Sequence, residues 1–366
     1  MKKILAMALV LCMMFALCAT ASAEGTIRVA MITDYGDITD QSFNQTTYEA
    51  CKEFCEEKGI DFKYYKPGSD SDEDRISSIE DAIDENFNVI VMPGYAFGAA
   101  IRATAPEYPD VTFVALDVSD FDLGVQDGFV LPANLYSAVY QEELCGYMAG
   151  YAAVKLGYTK LGFLGGMAVP AVVRYGYGFV QGADAAAAEI GADVTMNYAY
   201  GNQFYGDADI TAAMDTWYGA GTEVVFACGG GIFTSAAEAA AKVGGKVIGV
   251  DVDQAPTIDG LYGEKMTVTS AMKGLAATVK TVIGSILDGK FEGGKVENLG
   301  LVSEVPEENY VQLAGSTQFG DGFTADDYAA LVKDMFSGKI TVANDITVTP
   351  ADNAKTITVN DLGNIK

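Results

Sequence analysis

Residues able to do chemistry gather where apolar runs of this chain end. Asp34, Asp37 and Asp40 share one short stretch that closes on Gln41-Ser42-Phe43-Asn44-Gln45. Further along stand Asp117, Gly229-Gly230-Gly231, Asp251, Asp253 and Lys273. Carboxylates accept hydrogen bonds from neighbouring hydroxyls, as on a ribose, and a lysine among them adds donors. Phe43 lies among polar neighbours at a helix start, which seldom needs an aromatic. Phe204 and Tyr205 occupy a second polar loop, Gly201 to Asp207. Two aromatics opposed across a cleft can grip a flat ring from both faces, the arrangement a nucleobase needs. Each feature has an ordinary reading too. Asp and Gly are common in turns, Lys273 could be a surface lysine, and one aromatic of the pair could be core.

Composition narrows the chemistry. The chain has no histidine, which removes Ser-His-Asp and Cys-His catalysis and the usual zinc ligands. Gly229-Gly230-Gly231 lacks the G-x-G-x-x-G spacing and no Gly-Lys-Ser/Thr follows it, so its glycines point instead to close approach of a ligand to backbone around Gly230. Paired carboxylates could hydrolyse a glycoside, but no added catalytic loop interrupts the chain. The reading is a binding protein with neither cofactor nor metal; a nucleoside or glycoside hydrolase is the enzyme alternative. A formal charge of −27 repels nucleic acid and anionic lipid and disfavours highly phosphorylated ligands. Cys51, Cys55, Cys145 and Cys228 lie in apolar or helical patterns and are expected to be buried free thiols.

The amino terminus reads as a secretory signal peptide over 1–23. Lys2 and Lys3 precede an apolar run from Ile4 to Ala19, and Ala21-Ser22-Ala23 makes a small-residue cleavage site. Cys12 and Cys18 each follow a leucine rather than the small residue of a lipoprotein signal, leaving a lipid anchor as an alternative without a clear signal. No later run approaches the roughly 18 apolar residues of a membrane span. The mature protein is expected outside the cytoplasm.

The elements that must position these residues alternate. Strand-like runs at Ile27–Ile32, Phe62–Tyr65, Asn88–Met92 and Val111–Leu116 are separated by helical patterns, which argues a parallel sheet with right-handed crossovers. Ser42 is the expected cap of a first helix over Thr46–Lys58, its free N–H groups facing the crevice. Phe129–Leu135 reads as an edge strand and Tyr136–Leu156 as a long helix whose Gly146, Ala149 and Gly150 permit close packing. The alternation restarts at Lys160 and runs through strands ending near Gly165, Tyr200, Cys228 and Asp251. A chain of 366 residues exceeds the size at which one core keeps growing. We expect two doubly wound α/β lobes with a ligand cleft between them, a type I periplasmic-binding-protein fold. The first lobe takes 24–156 plus about 272–306 and the second 157–271 plus about 307–366, with recrossings near 154–160, 268–274 and 302–314. Strand ends of both lobes then converge on the cleft.

Asp40-Gln41-Ser42-Phe43-Asn44 resembles the Asp-x-Ser-Phe-Asn signature of the basic-membrane-protein family, ABC-transporter substrate-binding proteins that include purine nucleoside receptors. The likeness spans roughly 26–315 and includes Phe113-Val114-Ala115-Leu116-Asp117, Val247-Ile248-Gly249-Val250-Asp251-Val252-Asp253-Gln254 and Thr269-Ser270-Ala271-Met272-Lys273. It implies a monomeric receptor that captures a nucleoside, such as a purine nucleoside, for ABC permease subunits. The aromatic that stacks on the base maps to Phe43, beside Asn44, and the acids after the first and fourth strands to Asp34 and Asp117. The second aromatic maps to Phe204 or Tyr205, in a loop that departs from the family's Gly-Ser-Phe pattern. The ribose-facing acid and lysine map to Asp251 and Lys273. A sugar or autoinducer-type receptor is the alternative ligand class.

Overall fold

The computed structural model describes residues 26–366; the signal peptide expected over 1–23 lies outside them. Five strands open the chain: β1 (Arg28–Ile32), β2 (Asp61–Tyr65), β3 (Val89–Pro93), β4 (Thr112–Leu116) and β5 (Leu135–Tyr140). Five more follow: β6 (Lys160–Gly165), β7 (Thr195–Tyr200), β8 (Val224–Cys228), β9 (Lys246–Asp251) and β10 (Thr267–Lys273). The last are β11 (Lys295–Leu299), β12 (Val311–Leu313) and β13 (Thr358–Asn364). One sheet has the order β11-β5-β4-β3-β1-β2 and the other β12-β10-β9-β8-β6-β7-β13. The runs β2-β1-β3-β4-β5 and β7-β6-β8-β9-β10 are the same plan used twice. Among the described residues, every pairing between these strands is parallel except β10 with β12. Strands such as β3 and β8 are buried throughout, as parallel strands covered on both faces must be.

Ten helices accompany the strands among the described residues. They are α1 (Phe43–Lys58), α2 (Asp72–Asp84), α3 (Gly98–Thr104), α4 (Glu142–Lys155), α5 (Pro170–Ile190), α6 (Ala208–Gly219), α7 (Phe233–Val243), α8 (Ala255–Tyr262), α9 (Leu275–Leu287) and α10 (Ala325–Phe336). The chain leaves the first sheet after β5, returns from β10 through α9 to β11, and crosses again to β12.

One stretch differs from the sequence reading. Phe129–Asn134 is loop, and the residues from Leu135 to Tyr140 form β5 between β4 and β11 rather than the start of a helix. Tyr and Val suit a strand as well as an apolar helix face, and two waiting strand edges decide for the sheet. Asn134 fixes the entry, its Nδ2 donating to the carbonyls of Ala105, Tyr108 and Val111. The helix then starts at Glu142. In the short α8, Pro256 sits in the first turn, where its missing N–H has no role.

Helices α4 and α5 pack at close range behind the inter-lobe space. A methyl group on Gly146 or Gly150 would collide with the α5 backbone at Tyr175 or Phe179, and one on Gly178 or Gly182 with α4 at Glu143 or Tyr147. The small residues expected to allow close packing on the long helix thus find a partner with matching glycines. Core residues of both sheets and this helix pair form one continuous cluster. Cys51, Cys55, Cys145 and Cys228 are buried free thiols.

Candidate functional site

Strand order reverses at β1/β3 and at β6/β8, and a cavity of about 610 Å³ opens where those strand ends face each other, the place open α/β sheets reserve for ligands. Asp34 follows β1. Its Oδ1 accepts from the N–H groups of Tyr35 (2.6 Å) and Gly36 (2.9 Å), and Oδ2 lies so close to Gly94 after β3 that a side chain there would strike it. Burial raises the Asp34 pKa against the pull of those two N–H groups. Asp117 after β4 and Asp251 at the end of β9 both adopt left-handed backbone, φ 61° and 65°. Non-glycine residues rarely accept that conformation outside functional or turn positions.

These acids meet at Lys273, the last residue of β10. Its Nζ lies 2.5 Å from Asp117 Oδ2, 3.5 Å from Glu142 Oε1 and 3.8 Å from Asp251 Oδ1. It is almost wholly buried, so the surface-lysine reading fails. Burial works against the ammonium charge, but Asp117, Asp251 and Glu142 together raise the Lys273 pKa. Burial pushes Asp117 up to about 6, with Lys273 opposing and Glu142 and Asp251 adding to the rise. Burial likewise raises Asp251, opposed by Lys273 and Ser42. Burial and neighbouring acid charge thus raise Asp117 and Asp251 in spite of the lysine between them. Asp117 Oδ1 and Asn44 Oδ1 are buried acceptors without a partner among the described residues, and both residues line the cavity. Buried acceptors left open in this way call for a donor.

The first motif works differently from its sequence reading. Ser42 does not cap α1; its Oγ donates instead to Asp251 Oδ2 at 2.6 Å, across to the other lobe. Asp40 is the capping acid. It accepts from the N–H groups of Ser42, Asn44 and Gln45 at 2.9, 2.9 and 3.0 Å, so these helix-start donors are consumed within the loop rather than offered to the crevice. The inter-lobe seam continues through Gln254 Nε2 donating to Gln41 O (3.0 Å) and Thr257 Oγ1 donating to Gln41 Oε1 (3.2 Å). Asp251 is therefore buried and bonded, not a solvated cleft acid.

Phe43 lines the cavity half-buried, with Lys273 Nζ 4.7 Å from its ring centroid, a cation–π distance. Phe204 and Tyr205 both reach the cavity wall. Phe204 is the inner one: it stacks on Tyr35 with centroids 6.3 Å apart. Glycines make its room, since a methyl on Gly166 would sit 2.5 Å from its ring and one on Gly229 3.0 Å away. Gly230 lines the cavity too, with φ 52° and its backbone against Phe204. Tyr205 is 63% exposed at the rim.

Of the residues singled out from sequence, Asp34, Phe43, Asn44, Asp117, Phe204, Tyr205, Gly230, Asp251 and Lys273 all line this cavity. Asp253 does not. Its Oδ1 accepts from Ala255 N (3.1 Å) at the start of α8 and from Ser316 Oγ (2.6 Å), so it serves local turn geometry two residues past the strand end. Tyr35, Arg174 and Tyr175 line the cavity as well, and Glu142 stands behind it; none was singled out. Arg174 carried one signal, as the lone basic residue of an apolar helical pattern. Glu142 carried none, hidden in what reads as the middle of a longer helix.

The family model described as ABC transporter substrate-binding protein PnrA-like matches residues 27–313, and the chain belongs to that family, a family of substrate-binding proteins rather than enzymes. Among similar proteins is the ABC transporter nucleoside-binding protein BmpA of Lactococcus lactis subsp. cremoris, 29% identical over 89% of this chain and 93% of that one. Another is basic membrane protein A of Borreliella burgdorferi, 28% identical over 82% of this chain and 85% of its own length. Solved structures agree on the fold. An ABC transporter solute-binding protein from Aeropyrum pernix K1 superposes with TM-score 0.67 at 21% identity, covering 89% of this chain and 90% of that chain. One from Conexibacter woesei gives 0.66 at 23%, covering 87% and 99%. The fold is that of type I periplasmic binding proteins, as expected. Proteins of this class bind small molecules and work with permease subunits outside the cytoplasm. No helix among the described residues is long and apolar enough to cross a membrane.

Proposed function

We propose that the protein captures a nucleoside, a purine nucleoside in the first instance, between its lobes and presents it to an ABC permease. The observation that carries this is the division of one cavity into two chemistries. Phe204 on Tyr35 supplies aromatic faces for a base, and Phe43, whose ring meets Lys273, lines the same cavity at the border with the charged end. Asp117, Asp251 and Lys273 supply charged partners for adjacent sugar hydroxyls. Asp117 and Asn44, each with a buried acceptor that has no partner among the described residues, line the same cavity and suit a ligand rich in N–H and O–H groups. The Lactococcus relative's name supports the same ligand class. A thermal-shift and calorimetry panel of nucleosides, free bases and sugars tests the reading. Nucleosides should stabilise the protein most, and their 5′-monophosphates should bind more weakly, because acids outnumber cations around the sugar end. Stabilisation by sugars alone, or tighter binding of the monophosphate, would overturn it.

A further inference from the structure

Arg174 is the second cation of the cavity wall, and the acid–lysine cluster just described leaves its role open. It rises from the second turn of α5, and its Nε donates to Glu142 Oε2 at 2.7 Å. Glu142 comes from the facing end of α4, is fully buried, and lies 3.5 Å from Lys273 Nζ through its other oxygen. One carboxylate thus spans both cations and fixes the guanidinium next to the lysine that we assign to the sugar. The glycine-lined contact between α4 and α5 makes this bridge possible by bringing the two helix starts together. Among the described residues, the two terminal nitrogens of Arg174 donate to no protein group, while the residue lines the cavity. A guanidinium anchored through Nε has its remaining donors held in one plane, already oriented for an acceptor.

The charge around this corner decides which acceptor. Arg174 and Lys273 face Asp117, Glu142 and Asp251, so the two cations are already outweighed before any ligand enters. A phosphate would add to the excess; a neutral oxygen would not. With Asp117, Asp251 and Lys273 on the adjacent ring hydroxyls, the sugar oxygen left to address is the exocyclic one. We propose that Arg174, positioned by Glu142, donates to the neutral 5′-hydroxyl oxygen of a bound nucleoside, and that the charge of Glu142 keeps a 5′-phosphate out of the same corner. This rests on the nucleoside reading above.

The test is calorimetry of the whole protein with three probes: a purine nucleoside, its 5′-deoxy analogue and its 5′-monophosphate. Wild type should bind the nucleoside roughly tenfold or more tightly than the 5′-deoxy analogue, the lower range for a hydrogen bond from a charged donor. Arg174→Met should bind both equally. Because the readout is a ratio of two ligands on one protein, a general loss of stability in the variant does not mimic it. Glu142→Gln keeps the shape of the bridge while removing its charge, and should shift the monophosphate-to-nucleoside ratio at least several-fold toward the monophosphate. If Arg174→Met discriminates as wild type does, the contact is refuted. An unchanged ratio in Glu142→Gln refutes the charge filter. Should wild type bind no nucleoside at all, the nucleoside reading falls and takes this one with it; nucleoside binding with an indifferent Arg174 sinks the present inference alone.

Discussion

Replacing Asp117 by Asn should change how stability depends on pH, and the structure sets both sign and size. The Asp117 carboxyl is held up at about 6 in the folded protein against an ordinary value of 3.8. Folded chains therefore keep the proton over a range in which unfolded chains have lost it. Where the native state binds more protons, stability falls as pH rises. The contribution is fully present below about pH 4, is lost between about 4 and 6, and is flat above. A difference near 2 pKa units at 1.36 kcal/mol each amounts to about 3 kcal/mol. Asparagine titrates nowhere in this range. The stability of wild type relative to Asp117→Asn should thus drop by about 3 kcal/mol between pH 4 and pH 7, read from urea unfolding of the unliganded proteins at half-unit steps. Taking the difference cancels the acids remote from Asp117, leaving Asp117 and its immediate neighbours Asp251 and Glu142 as the groups that set the slope. A difference that stays constant, or that grows with pH, would mean that Lys273 dominates burial at this site, and the account of a carboxyl raised by burial beside other acids would be wrong. Ligand binding gives a second reading. If the Asp117 carboxylate accepts from a ligand donor, wild-type nucleoside affinity should rise as pH passes upward through about 6, and the Asn variant should lack that inflection.

Phe204→Ala should weaken nucleoside binding by roughly 1–3 kcal/mol, the range for one base–aromatic stack, with Phe204→Tyr much milder; calorimetry showing wild-type affinity in Phe204→Ala would reduce the ring to packing. Ser42→Ala should lower the unliganded stability by roughly 1.5–3 kcal/mol, since it removes a buried hydrogen bond to a carboxylate, and chemical unfolding that moves by less than 0.5 kcal/mol would show that the bond to Asp251 does not persist in solution. Asp40→Ala should cost about 1–2 kcal/mol in the same assay by freeing the helix-start N–H groups it accepts, whereas the same loss from Ser42→Gly but none from Asp40→Ala would return the capping role to Ser42.

Much of the site was legible because strand ends announce themselves. An apolar run closing on Asp or Gly marks the carboxyl end of a parallel strand, and in an open α/β sheet that end faces the crevice. Asp34, Asp117, Gly230 and Asp251 were found this way. Asp253 shows the limit of the rule: two residues beyond the strand end, its side chain serves α8 and Ser316 instead. Ser42 shows another limit. A serine before a helix is a good cap by type, but Asp40 reaches the same N–H groups with two oxygens and leaves the Ser42 hydroxyl free for a partner 209 positions away in sequence.

By itself the sequence determined the alternation of strands and helices, the doubling of one sheet plan, the crowding of acids at strand ends and the absence of histidine chemistry. These are local or compositional properties, carried by residue type and periodicity over a few positions. Tertiary structure alone decided whether Leu135–Tyr140 would be strand or helix, because the unpaired edges of β4 and β11 supply hydrogen bonds that no local preference encodes. It also decided that Lys273 is buried among three carboxylates, that Ser42 bonds Asp251 across the lobes, and that Glu142 joins Arg174 to Lys273. Each of those contacts depends on two lobes or two helices meeting to within an ångström. Such a distance is set by the packing of glycine-lined helices and apolar cores contributed by distant parts of the chain, and no spacing along the sequence records it.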